Sequence, residues 1–155
     1  MTAEAQTLRR AGPDEAALLT AIALASKRHW GYPEAWIRSW QAQLTVTVDY
    51  IRSNPVWLAF CLDKPAGFAA LSVLGRRACL DHLWVLPEHM GRGIGRALWM
   101  KALAEARALQ CTSLEIESDP NAVGFYEKMG ARRVGERHTQ VDSQDRSLPI
   151  LELLL

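Results

Sequence analysis

PEHMGRGIGRALW, residues 87–99, is the stretch of this sequence that decides the fold. Three glycines, Gly91, Gly93 and Gly95, alternate with arginine and isoleucine immediately before a helical pattern begins. Alternating glycines allow successive backbone N–H groups to point into one concavity, because no Cβ atom stands in the way. The first turn of a helix adds free N–H groups and the positive end of its dipole. The stretch therefore predicts a binding site for an anionic group where a loop enters a helix.

Two common phosphate-binding motifs do not fit this stretch. A dinucleotide fingerprint requires Gly-x-Gly-x-x-Gly, but the last position is Arg96 when counted from Gly91 and Leu98 when counted from Gly93. A P-loop requires Gly-Lys-Ser/Thr, whereas Gly95 is followed by arginine and alanine. A plain strand-to-helix turn needs one glycine, not three with arginine at alternate positions. We therefore expect a diphosphate, held by backbone amides and by charge-assisted bonds from the two arginines.

The composition is that of an ordinary globular chain. The sequence has 155 residues, 49% of them apolar and 23% charged, which predicts a single domain over residues 1–155. A formal net charge of +1 gives no indication of a nucleic-acid partner or an anionic membrane. No apolar run approaches the ~20 residues of a membrane span, and MTAEAQTLRRAG lacks the apolar core of a signal peptide. Cys61, Cys79 and Cys111 lack metal-ligand spacing, so we expect no metal site, buried free thiols at Cys61 and Cys79, and a cytoplasmic protein.

Hydrophobic periodicity predicts a sheet with helices on both faces, an α/β or α+β fold. Period-2 or continuous apolar runs predict strands over 7–10, 56–62, 66–74, 78–86, 112–118, 131–138 and 147–155. Helical spacing predicts helices over 14–29, 33–44, 47–54, 95–110 and 121–130. Pro65 in the segment DKPA supports the turn of a hairpin, and Gly130 is a candidate helix cap. In the helix after the glycines, one buried stripe is predicted at Ile94, Leu98, Ala102, Ala106 and Leu109.

Two segments resemble the motifs of a known family, the GNAT N-acetyltransferases. VLPEHMGRGIGRAL is similar to the acetyl-CoA motif Gln/Arg-x-x-Gly-x-Gly/Ala, which runs here from Met90 to Gly95. NAVGFYEKMGARRVGE is similar to the segment Ala-x-x-x-Tyr-x-x-x-Gly, with Ala122, Tyr126 and Gly130 at the matching positions. The resemblance implies the acyl-CoA N-acyltransferase fold, with a mixed, mostly antiparallel sheet of about six or seven strands. Met90 departs from the motif because it stands where the family has Gln or Arg.

The resemblance implies direct transfer of an acetyl group from acetyl-CoA to a primary amine of a small molecule or a protein. A catalytically silent acyl-CoA-binding regulatory domain is the alternative from another class, and a different diphosphate-nucleotide binder is disfavoured by the failed fingerprints. Family analogy also implies a homodimer, with the last apolar strand, PILELLL (149–155), as the candidate interface.

The resemblance places the cofactor along the fourth strand, the glycine loop and the second motif. In the family the fourth strand bulges and splays from the fifth, so that backbone groups become free to pair with the amides of pantetheine. Asp119 stands where many members have Asn, with Asn121 two residues later, and either residue is a candidate for the pantetheine contact. The implied cofactor residues are Leu83, Trp84, Val85, Met90, Gly91, Arg92, Gly93, Ile94, Gly95, Arg96, Asn121, Phe125 and Tyr126.

The chemistry requires an acid and a base. A free thiol has a pKa near ~8.5 and an alkylamine a pKa near ~10.4, so the leaving thiolate needs a proton and the ammonium must lose one. Tyr126 is the candidate acid. Asp81 aligns with the acidic residue proposed as the base in diamine acetyltransferases of the family, and it lies within an apolar strand where an unpaired carboxylate would be costly. His82, on the other face of a regular strand, and Glu117 are the alternatives.

The acceptor side is predicted from an aromatic segment, KRHWGYPEAWIRSW (27–40). In this architecture the segment between the first two helices forms the acceptor wall, where rings pack on an apolar group or face a cation. Trp36 and Trp40 fit helix and core packing. His29, Trp30 and Tyr32, around Gly31 in an expected loop, are the candidate substrate residues.

Overall fold

A computed structural model describes residues 6–155, which form one seven-stranded sheet in the order β1-β2-β3-β4-β5-β7-β6. Neighbouring strands are antiparallel except β4 and β5, which are parallel. The mixed, mostly antiparallel sheet confirms the predicted fold class. The strands are β1 (Gln6–Arg10), β2 (Val56–Cys61), β3 (Lys64–Leu74), β4 (Arg77–Val85), β5 (Ser113–Glu117), β6 (Arg132–Val141) and β7 (Gln144–Leu154).

Helices cover both faces of the sheet, as predicted. They are α1 (Ala16–Arg28), α2 (Glu34–Ser39), α3 (Gln41–Leu44), α4 (Val48–Ser53), α5 (Ile94–Ala108) and α6 (Val123–Lys128). Helices α1 to α4 bury one cluster of side chains against one face, around Leu19, Leu58 and Phe68. Helix α5 buries a second and third cluster against the other face, with α6 beside it.

The apolar stripe of α5 explains how that helix is anchored. Ile94, Leu98, Ala102 and Ala106 are each no more than 2% exposed, as the helical spacing predicts. The fifth member of the predicted stripe, Leu109, is 47% exposed. It lies outside the helix because α5 ends at Ala108, and the backbone there turns toward β5. The buried stripe fixes the position of the first turn of α5, which is where the glycine loop enters.

Three sequence expectations about local structure are wrong. The β2–β3 turn consists of Leu62 and Asp63, both with positive φ, and Pro65 already belongs to β3. The reason is the register: Cys61 pairs with Lys64, which leaves a two-residue loop of the kind whose twist suits a hairpin. The helix expected over 33–44 is interrupted at Trp40, where α2 ends and α3 begins. Among the three free cysteines, the thiol expected to be buried at position 79 is only half-buried.

The last strand does not provide the sheet edge that a strand-to-strand dimer would need. Strand β7 is hydrogen-bonded to β5 on one side and to β6 on the other, so both of its edges are used within the chain. The homodimer through residues 149–155 stays a prediction, and it would have to use side chains of β7, because β6 is the outer strand at this end of the sheet. Within the described part of the chain, no helix has the length and apolar character needed to cross a bilayer.

Candidate active site

The glycine loop has the backbone conformation that the sequence predicts for an anion cradle. Gly91 and Gly93 have φ angles of +78° and +82°, in the left-handed region that favours glycine. An ideal Cβ at either position would meet no atom within 4 Å, so packing inside the protein does not require these glycines. Gly93 is the N-cap of α5, and the first four N–H groups of a helix have no partner within the helix. The loop therefore combines left-handed glycines with the unpartnered first-turn amides of α5, which are the backbone groups that an anion cradle needs.

Side chains around the loop include the predicted basic residues. Arg92 and Arg96 are both exposed. The Arg92 Nη1 atom lies 3.9 Å from the Cys61 sulfur. The backbone carbonyl of Arg92 accepts a hydrogen bond from the side chain of Gln6. Met90, in an extended conformation, follows a 3-10 turn formed by Pro87–His89. Both arginines are thus accessible at the surface beside the glycine loop.

Strand β4 separates from β5 beside this loop. The two strands pair only from Arg77 to Leu80, so Leu83, Trp84 and Val85 have no partner strand on the β5 side. The opening is maintained from the other side, where Gly67 of β3 lies against this segment: an ideal Cβ on Gly67 would be 2.4 Å from the Trp84 carbonyl oxygen. The Ser26 hydroxyl of α1 donates to the Val85 carbonyl at 3.0 Å. The end of β4 therefore presents backbone groups to an opening in the sheet.

Helix α6 places its two aromatic residues beside this opening. The Phe125 ring and the Val85 side chain each lie 3.6 Å from an ideal Cβ on Gly95, so α6 reaches the first turn of α5 close to the end of β4. Tyr126 is 6% exposed and its ring packs against Trp99. Burial, with a smaller contribution from the negative charge of Asp119, raises the pKa of the Tyr126 phenol well above its ordinary value. The phenol therefore keeps its proton at neutral pH.

A β-bulge changes what the sequence predicts for the acidic candidate. Ala70 pairs with His82 and Leu71 with Leu80, so Asp81 is an extra residue in β4. Its side chain is exposed, and it accepts a hydrogen bond from the Tyr50 hydroxyl at 2.5 Å. Asp81 therefore lies within β4, as the sequence predicts, but its carboxylate is exposed and hydrogen-bonded instead of unpaired among apolar side chains. Burial, and to a smaller extent the hydrogen bond to Asp81, raise the pKa of Tyr50.

The sequence predicts that His82 and Asp81 point to opposite faces of a regular strand, but the strand is not regular at this bulge. The His82 ring lies 6.2 Å from the Tyr50 ring, so both neighbours contact the same tyrosine although the regular pleat would separate them. The Trp84 Nε1 donates to His82 Nδ1 at 3.0 Å. Burial lowers the pKa of His82 to about 4, although the Asp81 charge opposes part of this shift. His82 is therefore a neutral imidazole packed against Phe68.

Glu117, the third candidate base, lies at the end of β5. Its carboxylate is 40% exposed and accepts a hydrogen bond from Arg137 Nε at 2.7 Å. It is therefore already paired with a cation of the neighbouring hairpin.

A buried polar cluster lies at the C-terminal end of β5. Asp119 accepts hydrogen bonds from Lys27 Nζ at 2.5 Å and from the Tyr32 hydroxyl at 3.0 Å. Arg146 Nη2 donates to the Tyr32 oxygen at 3.0 Å and lies 3.4 Å from Asp119. Asn121 donates through its side chain to Tyr32 and Asp119. The two candidates for the pantetheine contact, Asp119 and Asn121, therefore belong to one network.

Charge and burial in this cluster affect each other. The Lys27 and Asp119 side chains are 10% and 8% exposed. Burial lowers the pKa of Lys27, although the Asp119 carboxylate opposes part of the shift. Burial would raise the pKa of Asp119, but the Lys27 charge and the hydrogen bonds outweigh it, so this pKa is below its ordinary value. Burial also raises the pKa of Tyr32. The cluster thus holds a carboxylate, two basic side chains and a neutral phenol.

The aromatic segment divides between this cluster and the surface. The Tyr32 ring stacks on Trp36 with centroids 5.9 Å apart and meets Trp40 edge-on at 5.0 Å. Trp30 is 40% exposed, and its ring contacts His29. Of the three predicted substrate residues, Tyr32 joins the buried cluster, whereas His29 and Trp30 lie on the surface after α1.

Sequence reasoning did not identify several residues of this region: Lys27, Tyr50 and Arg146. Lys27 and Tyr50 lie on amphipathic helices with ordinary charged or aromatic composition, and Arg146 lies in a polar hairpin. A single sequence offers no signal for them, because their partners are 92, 31 and 114 residues away along the chain.

Comparison with known proteins agrees with this geometry. The sequence profile of the acetyltransferase (GNAT) family matches residues 20–131. The peptidyl-lysine N-acetyltransferase YjaB of Salmonella typhimurium is 35% identical over 118 residues, which cover 75% of this chain and 76% of that protein. YjaB of Escherichia coli is 35% identical over 106 residues, covering 68% of this chain and 67% of that protein.

Solved structures show the same fold. A GCN5-related N-acetyltransferase from Rhodopseudomonas palustris superposes with a TM-score of 0.81 at 23% identity, over 100% of this chain and 99% of that one. The PaiA N-acetyltransferase of Thermoplasma acidophilum, solved in complex with coenzyme A, has a TM-score of 0.74 at 20% identity, over 97% and 99% of the two chains.

Proposed function

This chain belongs to the GNAT acetyltransferase family and is an acetyl-CoA-dependent N-acetyltransferase, and from that premise we propose that its acceptor is the side-chain amine of lysine in a peptide or protein. The support for lysine comes from the YjaB relatives, which are peptidyl-lysine N-acetyltransferases and are 35% identical to this chain over the matched residues. Nothing in the comparisons supports the alternative of a catalytically silent acyl-CoA-binding domain.

The observation that supports the site most is the opening between β4 and β5 next to the glycine loop. The free edge at Leu83, Trp84 and Val85 suits the amides of pantetheine, and the amides from Gly91 to Arg96 suit the diphosphate. The loop fits this group because there is room beside it: an ideal Cβ at Gly91 or Gly93 would meet no described atom within 4 Å. Acetyl-CoA supplies the acetyl group as a thioester. Met90, Phe125 and Asn121 are proposed as further contacts.

Two side chains are proposed to handle protons. Tyr126 holds a proton at neutral pH, since burial raises its pKa, and it lies on the helix that contacts the end of β4. We assign it as the general acid for the leaving thiolate. Asp81 is exposed at the bulge and is assigned as the base for the acceptor ammonium, acting through water. The His82 Nδ1 atom already accepts a hydrogen bond from Trp84. We propose that His82 packs against Tyr50, which holds Asp81 in position, and that His82 does not take the proton of the ammonium itself.

The acceptor assignment is tested with paired peptides. One peptide carries a single lysine and an acetylated N-terminus, and its partner carries a free N-terminus and norleucine in place of lysine. We expect acetyl-CoA-dependent release of free thiol, and a mass increase on the lysine, only with the first peptide. Transfer to the second peptide alone would refute the lysine assignment, because the reactive amine would then be the N-terminus.

A homodimer and a cytoplasmic location stay predictions from family analogy and from composition. Sedimentation velocity over a range of concentrations tests the first, and a monomer throughout that range would contradict it.

A further inference from the structure

The buried cluster at the end of β5 contains two cationic side chains but one carboxylate, so one positive charge is not balanced. Lys27 and Arg146 share a single carboxylate, that of Asp119. The Arg146 side chain is only 9% exposed, and its Nη1 atom is buried without a hydrogen-bond partner among the described residues. Buried cationic donors are normally paired, because water no longer solvates them. The cluster is therefore incomplete by one hydrogen-bond acceptor.

The unpaired nitrogen is held in a fixed orientation. The other terminal nitrogen of Arg146, Nη2, is engaged by Tyr32 and Asp119. The guanidinium carbon lies 4.8 Å from the Tyr32 ring centroid and 4.5 Å from that of Trp40. Two rings and two polar contacts thus fix the plane of the guanidinium, and its N–H groups present a fork that matches a carboxylate. The arginine is preorganised for an anion that residues 6–155 do not supply.

Although it is largely buried, the same arginine borders a depression at the surface. Arg146 lines an open depression of about 420 Å³ together with His138, Thr139, Asp145 and Ser147. On its inner side, Lys27 Nζ lies 5.9 Å from the ring centroid of Trp84, in the segment of β4 assigned to pantetheine. Arg146 therefore borders the depression and shares Asp119 with Lys27, which reaches toward the segment of β4 assigned to pantetheine. An anion bound there would belong to the incoming acceptor.

We propose that Arg146, with Lys27, binds a carboxylate of the acceptor, so that the enzyme selects amines that carry an acidic group close to the reacting nitrogen. This rests on the proposed lysine acetylation and narrows its substrate class. Two sources have this chemistry: an acidic side chain beside the lysine of a protein, or the free α-carboxylate of an amino acid. Asp119 holds Arg146 and Lys27 in place, while the excess positive charge attracts the substrate.

A binding experiment tests the subsite without requiring turnover. Nα,Nε-diacetyl-lysine, a product analogue, is titrated as its free acid and as its neutral amide into the protein saturated with coenzyme A. We expect the acid to bind at least about tenfold more tightly, which corresponds to about 1.4 kcal/mol. Equal affinities of the acid and the amide would overturn the proposal for the α-carboxylate, and the peptide pair described below tests the side-chain source.

Variants locate the effect. Arg146→Gln should weaken binding of the acid more than binding of the amide and so lose the preference, and Arg146→Lys should keep part of it. The matched control is Arg133→Gln, on the same hairpin, whose side chain is 52% exposed and pairs with Glu136; it should keep the full preference. A full preference in Arg146→Gln, confirmed as folded by its melting temperature, would assign the anion site elsewhere.

Acetylation rates distinguish the two sources. Blocked lysine peptides with glutamate or glutamine at each neighbouring position are compared with Nα-acetyl-lysine and its amide. A glutamate preference in kcat/KM that Arg146→Gln abolishes supports a protein acceptor, and a preference for Nα-acetyl-lysine alone supports an amino acid. Indifference in both pairs would overturn the proposal while leaving lysine acetylation intact. If no lysine compound reacts, the proposed function fails, and with it the assignment of the carboxylate to an acceptor.

Discussion

The clearest prediction concerns Gly93, whose role in binding can be separated from its role in folding. Gly93 has a φ of +82°, and Gly75, in the β3–β4 turn, has a φ of +63°. A Cβ at either position would meet nothing within 4 Å. Alanine at each position therefore costs the same kind of backbone strain, about 1–2 kcal/mol, with no steric clash inside the protein. For a chain of this size that is a loss of roughly 2–8 °C in Tm.

The two variants should differ in their affinity for coenzyme A. In Gly93→Ala the methyl group enters the concavity where the diphosphate is proposed to lie, so we expect at least about tenfold weaker binding, or about 1.4 kcal/mol. Gly75→Ala, at the tip of a hairpin outside the loop, should bind coenzyme A with unchanged affinity. Isothermal titration calorimetry measures the affinity of each variant for coenzyme A, and thermal melting measures its stability. Equal affinities in two variants of equal stability would refute the assignment of the glycine loop to the diphosphate.

Three further predictions concern the proton-handling residues. Tyr126→Phe should keep its affinity for coenzyme A and lose about 10²-fold or more in kcat, measured by free-thiol release; unchanged kcat would remove Tyr126 as the acid. Asp81→Asn should lower kcat/KM by about 10²-fold, whereas Tyr50→Phe, which keeps the carboxylate, should lower it much less; equal losses would indicate a structural role for the pair. The pKa of His82 is about 4 in the folded protein, below its value in the unfolded chain. Between these two pKa values the unfolded chain binds more protons than the folded protein does, so the free energy of unfolding decreases as the pH falls. Urea unfolding should show about 2 kcal/mol lost between pH 7.5 and pH 5 that a His82→Gln variant does not lose, and the same loss in both would show that another group titrates.

The glycine loop shows how far local sequence reaches. Left-handed backbone, free amides and a following helix all depend on residues within a few positions of Gly93, so the sequence alone predicts them. The strand and helix order follows for the same reason, since periodicity is a local property. Turn detail fails where pairing decides it: the register of β2 and β3 moves the turn to Leu62 and Asp63, ahead of Pro65.

The proton-handling and acceptor residues depend on more than local sequence. Sequence reasoning placed Asp81 and His82 on opposite faces, and a single extra residue in β4 brings both to Tyr50. The β4–β5 opening itself arises because the two strands stop pairing after Leu80, which no pattern within either strand encodes.

By itself the sequence determined the left-handed glycine loop before a helix, the family resemblance and the sheet with helices on both faces, because each depends on the chemistry of residues close together in the chain. Only the tertiary structure decided which side chains share the buried cluster that we propose for the acceptor. Lys27, Asp119 and Arg146 come from a helix, a loop after β5 and a hairpin strand, and they meet because those elements end at the same edge of the sheet. Burial at that edge then turns ordinary charged residues into a cluster with one donor unsatisfied, which is a property of the assembled fold.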